Sequence, residues 1–346
     1  MGVLLSILGL GLLMAVHEAG HFAVARLFGM RVLRFSIGFG PVLYSKKPEG
    51  SDTTYQIGLL PFLAYVQIAG MNPHEEIEPD DKGSYANASW LGRFLTILAG
   101  PLANYLFAVL AFFALTMSLG IGDGKIDGMK VGYIVPQAAA EGKILAGDEI
   151  RKVAGKEVHD WMEMKKVISE NAGKNIEVLV DRNGALVPLA VTPSQEGRIG
   201  IVAKETRRRV GVGEATKLAL VEPPKSAARM VVGLARVISR KDKADLKGPV
   251  GIVDEAREQY RQGVYEFVGL FILLSIYLCV FNLIPFPALD GGRIAFLVYE
   301  FISRRRPDAK IEARVHLVGI LTLLTLFLPL FFIEIGKKIL GLFMKG

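Results

Sequence analysis

The chain has one cysteine, Cys279, among 346 residues, so it forms no internal disulfide. The same count excludes a zinc site built from thiolates, which leaves histidine, aspartate and glutamate as metal ligands. Cys279 lies in an apolar run, where cysteine is usually a small buried hydrophobic residue. No basic segment interleaved with aromatic residues indicates nucleic-acid binding. No serine-centred motif indicates a serine protease.

Charge is also absent from the first sixteen residues, and 51% of the whole chain is hydrophobic. Four apolar runs have close to the ~20 residues that a helix needs to cross a bilayer. They are residues 3–28, 94–119, 267–285 and 315–335. No Lys or Arg precedes the first run and no small-residue cleavage site follows it, so we interpret it as a retained span rather than a secretory signal.

Basic residues are concentrated in two of the loops that the four runs define. Five Lys and Arg residues lie at the end of the first run and after it, within 26–47, and five more separate the third and fourth runs within 304–314. The positive-inside rule places both loops in the cytoplasm. The long segment 121–265 and both termini then lie on the other side. The net charge of +7 is explained mostly by this topology, and it indicates no nucleic-acid partner.

The first apolar run contains the pentad His17-Glu18-Ala19-Gly20-His21. On a helix, two histidines four residues apart share one face and can bind one Zn²⁺, and the glutamate between them can take a proton from a metal-bound water. Five residues with three fixed positions match often by chance. However, charged residues within a membrane span are costly and usually functional. The sequence therefore predicts a hydrolytic metal site at membrane depth.

A third ligand is predicted after the third apolar run, where residues 282–292 read N-L-I-P-F-P-A-L-D-G-G. Pro285 and Pro287 interrupt a regular helix, and unwound backbone at membrane depth is tolerated where it lines a cavity. Asp290 follows this break. Two histidines, one carboxylate and a water together form an open catalytic zinc site. The alternative is that Asp290 only caps a helix that begins near Arg293.

These motifs resemble those of the bacterial site-2 proteases, a family of intramembrane zinc metalloproteases, and specifically the regulator-of-sigma-E-protease type. The matching segments run through nearly the whole chain in the family's order. They are residues 17–21, 38–41, 99–104, 247–252 and 282–292.

The resemblance implies a set of residue roles and a function. His17, His21 and Asp290 are expected to bind one catalytic Zn²⁺, with Glu18 as the catalytic acid/base. The expected substrate-binding residues are Asn282, Pro285 and Pro287. The expected activity is regulated intramembrane proteolysis of single-span membrane proteins, such as anti-sigma factors already cut by another protease or remnant signal peptides.

The predicted fold is a polytopic α-helical membrane protein of the bacterial cytoplasmic (inner) membrane. It has four transmembrane helices, a membrane-re-entrant β-hairpin and an inserted extracytoplasmic PDZ domain of the α+β class. The predicted domains are an N-terminal membrane core at 1–120 with the hairpin at about 54–70, the PDZ domain at 121–206, a linker with an amphipathic interfacial helix at 207–264, and a C-terminal membrane core at 265–346. The active site is expected toward the cytoplasmic side.

The pattern within the predicted PDZ domain is one of short strands with a helix. The predicted elements are a strand at 130–135, a short helix followed by a Gly-Asp turn and a strand over 138–150, a helix at 160–172, and strands at 176–180 and 186–191. Asp148 is expected to shape the turn. Because PDZ domains bind peptides by strand addition, a peptide or protein C-terminus is an expected partner, beside the lipid bilayer. We also expect one hairpin edge to pair with an unwound substrate.

Two further polar residues lie in or beside the apolar runs. Asn104 either forms hydrogen bonds between helices or lines the site. His316 is expected at the membrane interface without a metal role.

Two other functions are considered. A membrane transporter for metal or protons also uses intramembrane His and Asp, but it predicts more spans and repeat symmetry. A PDZ-bearing membrane scaffold with a decayed metal site would tolerate the loss of Glu18 or Asp290, yet both residues are present.

Overall fold

A computed structural model describes residues 1–72, 75, 78, 80–239, 241 and 248–343. Lys247, the first residue of one motif match, lies outside the described residues. The chain divides into two units, one formed by Met1–Leu115 with Gly213–Gly346 and the other by Thr116–Val212. The second unit is therefore an insertion in the sequence of the first.

The strands of the described residues lie in the first two thirds of the chain, between helices, and helices alone follow them. In chain order, the helices are α1 (Gly2–Leu27), α2 (Trp90–Leu119), α3 (Trp161–Glu170), α4 (Val212–Ile238), α5 (Pro249–Gln262), α6 (Val264–Leu283), α7 (Asp290–Ser303) and α8 (Ala309–Phe343). The strands are β1 (Val32–Lys46), β2 (Thr54–Ile68), β3 (Ile121–Ile134), β4 (Glu149–Val153), β5 (Lys156–Glu157), β6 (Ile176–Arg182), β7 (Ala185–Val191) and β8 (Ile201–Arg208).

Four helices are long and apolar enough to cross a membrane: α1, α2, α6 and residues Lys310–Leu340 of α8. They confirm the four apolar runs of the sequence. A separate helix, α7, stands between the third and fourth of them. It begins at Asp290, with Leu289 as its N-cap, rather than near Arg293. Asp290 therefore lies inside the first turn, and the alternative in which it only caps the helix is wrong.

The first sheet is an antiparallel pairing of β1 and β2 in which both strands bend back. Ile37 lies opposite Ala64 and also opposite Ile57, while the second half of β1 pairs with the first half of β2. The bends fall at Gly38 and Gly58, which touch: a Cβ on Gly38 would lie 2.5 Å from the Gly58 carbonyl oxygen. Only glycine permits this approach.

The expectation of a hairpin contained within 54–70 is wrong. Residues 34–37 of β1 lie between the two halves of β2, so those halves do not pair with each other. Residues 64–68 have ladder partners only on the β1 side. Residues 64–68 therefore form an edge strand, in a sheet that is built from two chain segments, β1 and β2, rather than one.

The second unit is built around a sheet of order β7-β6-β4-β3-β8, with β5 on β4. Its core is formed by the apolar faces of these strands and by α3, through residues such as Val131, Val178 and Met164. The predicted strands and helix are confirmed, with Asp160 capping α3 by accepting a hydrogen bond from the Glu163 N–H.

The short helix predicted after residue 138 is wrong. That segment forms successive turns, because Gln137, Gly142 and Gly147 adopt a left-handed backbone that a helix cannot include. The turn role of Asp148 is confirmed: its carboxylate accepts a hydrogen bond from the Leu145 N–H at 2.8 Å.

The segment predicted as a linker, 207–264, contains two helices rather than one. Helix α4 continues through Pro223 and Pro224, where the prolines remove two N–H donors without ending the helix. Helix α5 begins at Pro249, and both carboxylate oxygens of Glu334 on α8 accept hydrogen bonds near this start, from the N–H groups of Gly248 and Gly251. The far end of α8 therefore holds the start of α5.

Candidate metal centre

Three potential metal ligands from two distant parts of the sequence meet in the first unit. His17 and His21 lie one turn apart on α1, each only 6% exposed, with their Nε2 atoms 3.2 Å apart. Asp290 Oδ2, from the first turn of α7, lies 3.1 Å from His17 Nε2 and 3.4 Å from His21 Nε2. The structure therefore brings together the three predicted ligands.

The separations of these atoms fit a zinc ion. Ligands at about 2.0–2.1 Å from a tetrahedral Zn²⁺ lie about 3.3 Å from one another. The three observed separations fall on either side of this value. Asp290 Oδ2 is also buried, and no described residue forms a hydrogen bond with it. A buried carboxylate oxygen that faces two imidazole nitrogens is suited to a cation.

A backbone contact fixes the ring of His21. Its Nδ1 lies 2.7 Å from the Thr96 carbonyl oxygen on α2. Because a carbonyl only accepts, Nδ1 carries the proton and Nε2 presents its lone pair toward Asp290. This outer hydrogen bond is the usual way in which a protein orients a metal-binding histidine.

Asn104 on α2 performs the matching role for His17. Its side-chain amide lies 3.3 Å from His17 Nδ1, and its buried Oδ1 has no hydrogen-bond partner in the part of the chain that the structure describes. If the amide is turned by 180°, Oδ1 accepts a hydrogen bond from the Nδ1–H of His17, so that Oδ1 and His17 Nδ1 each gain a partner. The side chain of Asn104 therefore lines the site. Its backbone oxygen accepts a hydrogen bond from the Ser275 hydroxyl of α6, which joins the two helices.

Two glycines let α1 and α2 approach closely enough to form these contacts. A Cβ on Gly20, inside the pentad, would lie 2.2 Å from the Ala99 carbonyl oxygen. A Cβ on Gly100 would lie 2.2 Å from His21 Nε2 itself. Gly100, in the A-G-P segment at 99–101, thus leaves room for the His21 ring, which any side chain at this position would displace.

Glu18 lies between the two histidines in sequence and points to the edge of the first sheet. Its Oε2 accepts a hydrogen bond from the Val66 N–H at 2.9 Å. Val66 belongs to the edge strand 64–68. The carboxylate is therefore held beside the ligand cluster on one side and the strand edge on the other.

The turn that carries Asp290 is held by α8. Ala288 has a left-handed backbone (φ 81°), which is unfavourable for a residue with a Cβ, and its N–H donates to His316 Nδ1 at 3.0 Å. One turn further along α8, a Cβ on Gly319 would lie 2.3 Å from the Pro287 carbonyl oxygen. His316 thus supports the turn, a role that the sequence did not reveal.

The other end of α7 is fixed to the start of α2. Arg93 donates two hydrogen bonds to the Glu300 carboxylate, at 2.6 and 3.0 Å, and both side chains are largely buried. The guanidinium of Arg93, its nearest partner, lowers the pKa of Glu300 below its ordinary value. The indole N–H of Trp90 also donates to the Leu297 carbonyl oxygen at 2.8 Å. Helix α7 is therefore fixed near both ends.

The predicted substrate-binding residues lie at the end of α6 and in the connection to α7. The amide of Asn282 donates to the Leu278 carbonyl oxygen of its own helix at 3.0 Å. Pro285 and Pro287 lie in the irregular turn before Asp290. No hydrogen bond among the described residues joins Asn282 to the three ligand atoms.

Comparison with known proteins identifies the family of this arrangement. The model of peptidase family M50 matches residues 5–326. The chain belongs to peptidase family M50. A Clostridium perfringens protein with a zinc metalloprotease name is 31% identical over 343 residues, which cover 94% of this chain and 96% of the relative. Zinc metalloprotease RasP of Geobacillus kaustophilus is 28% identical over 408 residues, with 94% and 96% covered.

A plant relative extends the similarity to a membrane enzyme. Membrane metalloprotease ARASP of Arabidopsis thaliana, a chloroplastic protein, is 29% identical over 359 residues, which cover 96% of this chain and 77% of the relative. The M50 chain described here is thus a zinc-dependent protease with Zn²⁺ as its cofactor and a multi-pass membrane protein. The predicted family, enzyme class and cofactor are confirmed. The transporter and scaffold functions do not fit this family.

Proposed function

We propose that this M50 protease cleaves single-span membrane proteins within the bilayer, using zinc bound by His17, His21 and Asp290. The observation that carries the proposal is the convergence of the three ligand atoms at 3.1–3.4 Å, with two of them on an apolar helix long enough to cross a membrane. A hydrolytic centre on such a helix acts on what enters the membrane.

The chemistry divides between the cofactor and the protein. When bound, zinc makes its water more acidic and polarises the scissile carbonyl. Glu18 takes the proton of the attacking water and returns it to the leaving amine. Asn104 and the Thr96 carbonyl hold the two imidazole rings in position.

Substrate binding is proposed at the edge strand 64–68. A helix buries its peptide bonds, so a transmembrane substrate must be extended before water can attack it. Strand addition to an exposed edge supplies that extended form. The hydrogen bond between Val66 and Glu18 supports this site, because it sets the edge beside the acid/base. Asn282, Pro285 and Pro287 are proposed to contact the extended chain from the opposite side.

The first sheet is proposed to enter the membrane. Several large apolar side chains near its bends are exposed, including Phe39, Leu43 and Leu59. Exposed apolar surface on this scale marks contact with lipid or protein. The location is proposed to be the bacterial inner membrane, with the metal centre toward the cytoplasm and the second unit outside.

The second unit is proposed to be a PDZ domain that binds a peptide or protein C-terminus. Within this unit, a cavity of about 520 Å³ lies between α3 and the chain leading into β8, lined by residues such as Trp161, Ile168 and Ile199. Strand β8 is at the edge of its sheet. A groove between a helix and an edge strand accepts an added strand.

Cleavage of a tagged single-span substrate in proteoliposomes tests the proposed function. Wild type is compared with Glu18→Gln, and bound zinc is measured in both. We expect zinc in both proteins and cleavage only by wild type. A well-folded preparation of either protein that binds no zinc contradicts the ligand assignment.

A further inference from the structure

A cavity of about 560 Å³ lies between α7, α8 and the turn that follows β2. Among the described residues, its charged lining consists of Arg293, Lys310 and Arg314 against one carboxylate, that of Glu312. The cations of this described lining outnumber the anion, which gives it an excess of positive charge. A cleft lined by one sign of charge attracts groups of the opposite sign.

Arg293 distinguishes this cavity from an ordinary basic surface. Its side chain is half-buried, and it forms no hydrogen bond or ion pair with any residue that the structure describes. Arg93 on α2 instead donates two hydrogen bonds to the Glu300 carboxylate. A partly desolvated guanidinium has five donors to satisfy, and a carboxylate matches their geometry. Arg293 is therefore placed to bind an anion.

The cavity lies next to the proposed path of the substrate. Arg293 follows the ligand Asp290 by one turn of α7. Met71 and Asn72 line the same cavity, just beyond the turn in which the Met71 N–H donates to the Ile68 carbonyl oxygen at 3.2 Å. Ile68 ends the strand whose Val66 contacts Glu18. An extended chain on this edge thus leads from the acid/base into the cavity.

We propose that this cavity is a substrate subsite that binds an acidic side chain, Asp or Glu, on the cytoplasmic flank of the cleavage site. The inference rests on the proposed function. At about 3.3 Å per extended residue, the acidic residue lies roughly two to five positions from the scissile bond. The continuity of the cavity with the strand edge favours a peptide over the phosphate of a lipid headgroup.

The subsite gives the protease a physical basis for selection. Membrane spans usually carry Lys and Arg on their cytoplasmic flanks. Arg293, Lys310 and Arg314 repel such flanks, and the repulsion of wrong partners is an effective source of specificity. An acidic flank therefore distinguishes a substrate from most of the spans around it.

The test uses the full-length enzyme in liposomes of neutral lipid. Tagged substrates differ only in one residue, Glu, Gln or Lys, placed in turn at successive positions along the cytoplasmic end of the span. We expect wild type to cleave the best-placed Glu substrate about fivefold or more faster than its Lys counterpart, as expected for a partly exposed ion pair. In Arg293→Gln this ratio falls to about one, and Arg293→Lys retains part of it.

Arg305→Gln is the matched control, because Arg305 is an exposed arginine that does not line the cavity. Its Glu-to-Lys ratio is expected to equal that of wild type. Crosslinking of the same substrates to Glu18→Gln measures the preference without cleavage. An acidic preference in crosslinking without any cleavage by wild type therefore contradicts the proposed function and supports the subsite.

Two results overturn the subsite. In the first, Arg293→Gln retains its zinc and its activity on the Gln substrate, and its Glu-to-Lys ratio equals that of wild type in both cleavage and crosslinking. The other is that anionic lipid, when added, raises cleavage of all three substrates equally and that Arg293→Gln abolishes this rise. The cavity then binds a lipid headgroup rather than a substrate side chain.

Discussion

The backbone N–H of Val66 donates a hydrogen bond to the carboxylate of Glu18, with 2.9 Å between N and Oε2. This bond fixes which groups of the edge strand face outward. Partners in an antiparallel ladder alternate between bonded and non-bonded pairs, so Ala64 and Val66 direct their N–H groups away from β1, and Tyr65 directs its own toward it. The edge therefore presents alternate backbone groups on the side of Glu18.

This alternation predicts the effect of single prolines in the edge strand. Ala64→Pro removes an outward N–H and no ladder bond, so we expect cleavage to fall about tenfold, with bound zinc unchanged, because one substrate hydrogen bond is lost. Tyr65→Pro removes a ladder bond to β1 and is expected to destabilise the sheet. Proteoliposome cleavage and zinc content measure both. Full activity of Ala64→Pro contradicts pairing at this edge.

Asn104 is predicted to raise zinc affinity through His17. Asn104→Ala removes the oxygen that fixes the imidazole, and such outer partners typically contribute about 10–100-fold to metal affinity. Competition with a chelator at pH 7 measures the loss. Ser275→Ala is the control, since it removes a neighbouring bond to the Asn104 backbone and leaves the amide side chain in place. Equal zinc affinity in wild type and Asn104→Ala is the result that excludes this role.

His316 is predicted to position Asp290 through the turn at Ala288. His316→Ala leaves the Ala288 N–H without its acceptor and the left-handed residue without support, which costs about 1–3 kcal/mol. We expect weaker zinc binding and a lower kcat with little change in KM. Ala288→Gly relieves the backbone strain, so the double variant should recover part of the zinc affinity. If the effects of His316→Ala and Ala288→Gly on zinc affinity simply add, the two residues are not coupled and the prediction fails.

The second unit is predicted to lose stability in acid through Asp148. Burial alone raises the pKa of Asp148, but hydrogen bonds from Arg182 and from the Leu145 N–H outweigh it and hold the pKa below its ordinary value. Since the folded form has the lower pKa, the stabilisation is complete above the unfolded value of about 4 and is lost as pH falls below it.

Substitution of this carboxylate tests its contribution. Asp148→Asn is expected to destabilise the second unit by about 2–3 kcal/mol, below the cost of breaking a fully buried pair, because Arg182 is partly exposed. Hydrogen exchange of β3, β4 and β6 in the full-length protein measures it. The variant should also show a flatter stability profile than wild type as pH falls below about 4, and an unchanged profile contradicts the assignment.

The convergence of the three proposed ligands was predictable from the sequence, because helical spacing alone places His17 and His21 together and the proline break before Asp290 marks a second feature at membrane depth. The four long helices followed from apolar length. The edge strand did not, because the pairing of Ile37 with both Ala64 and Ile57 depends on bends at two glycines that no local pattern specifies. His316 carried no signal either, since its partner is a backbone N–H.

The proposed ligands His17 and Asp290 come from the first and the penultimate described helices, and His316, on the last, holds the turn just before Asp290. A ribosome that has delivered only the first spans has therefore made a chain with two imidazoles and no carboxylate to complete the set. The proposed centre therefore cannot form until the ribosome has delivered Asp290 and α7, however early α1 enters the membrane.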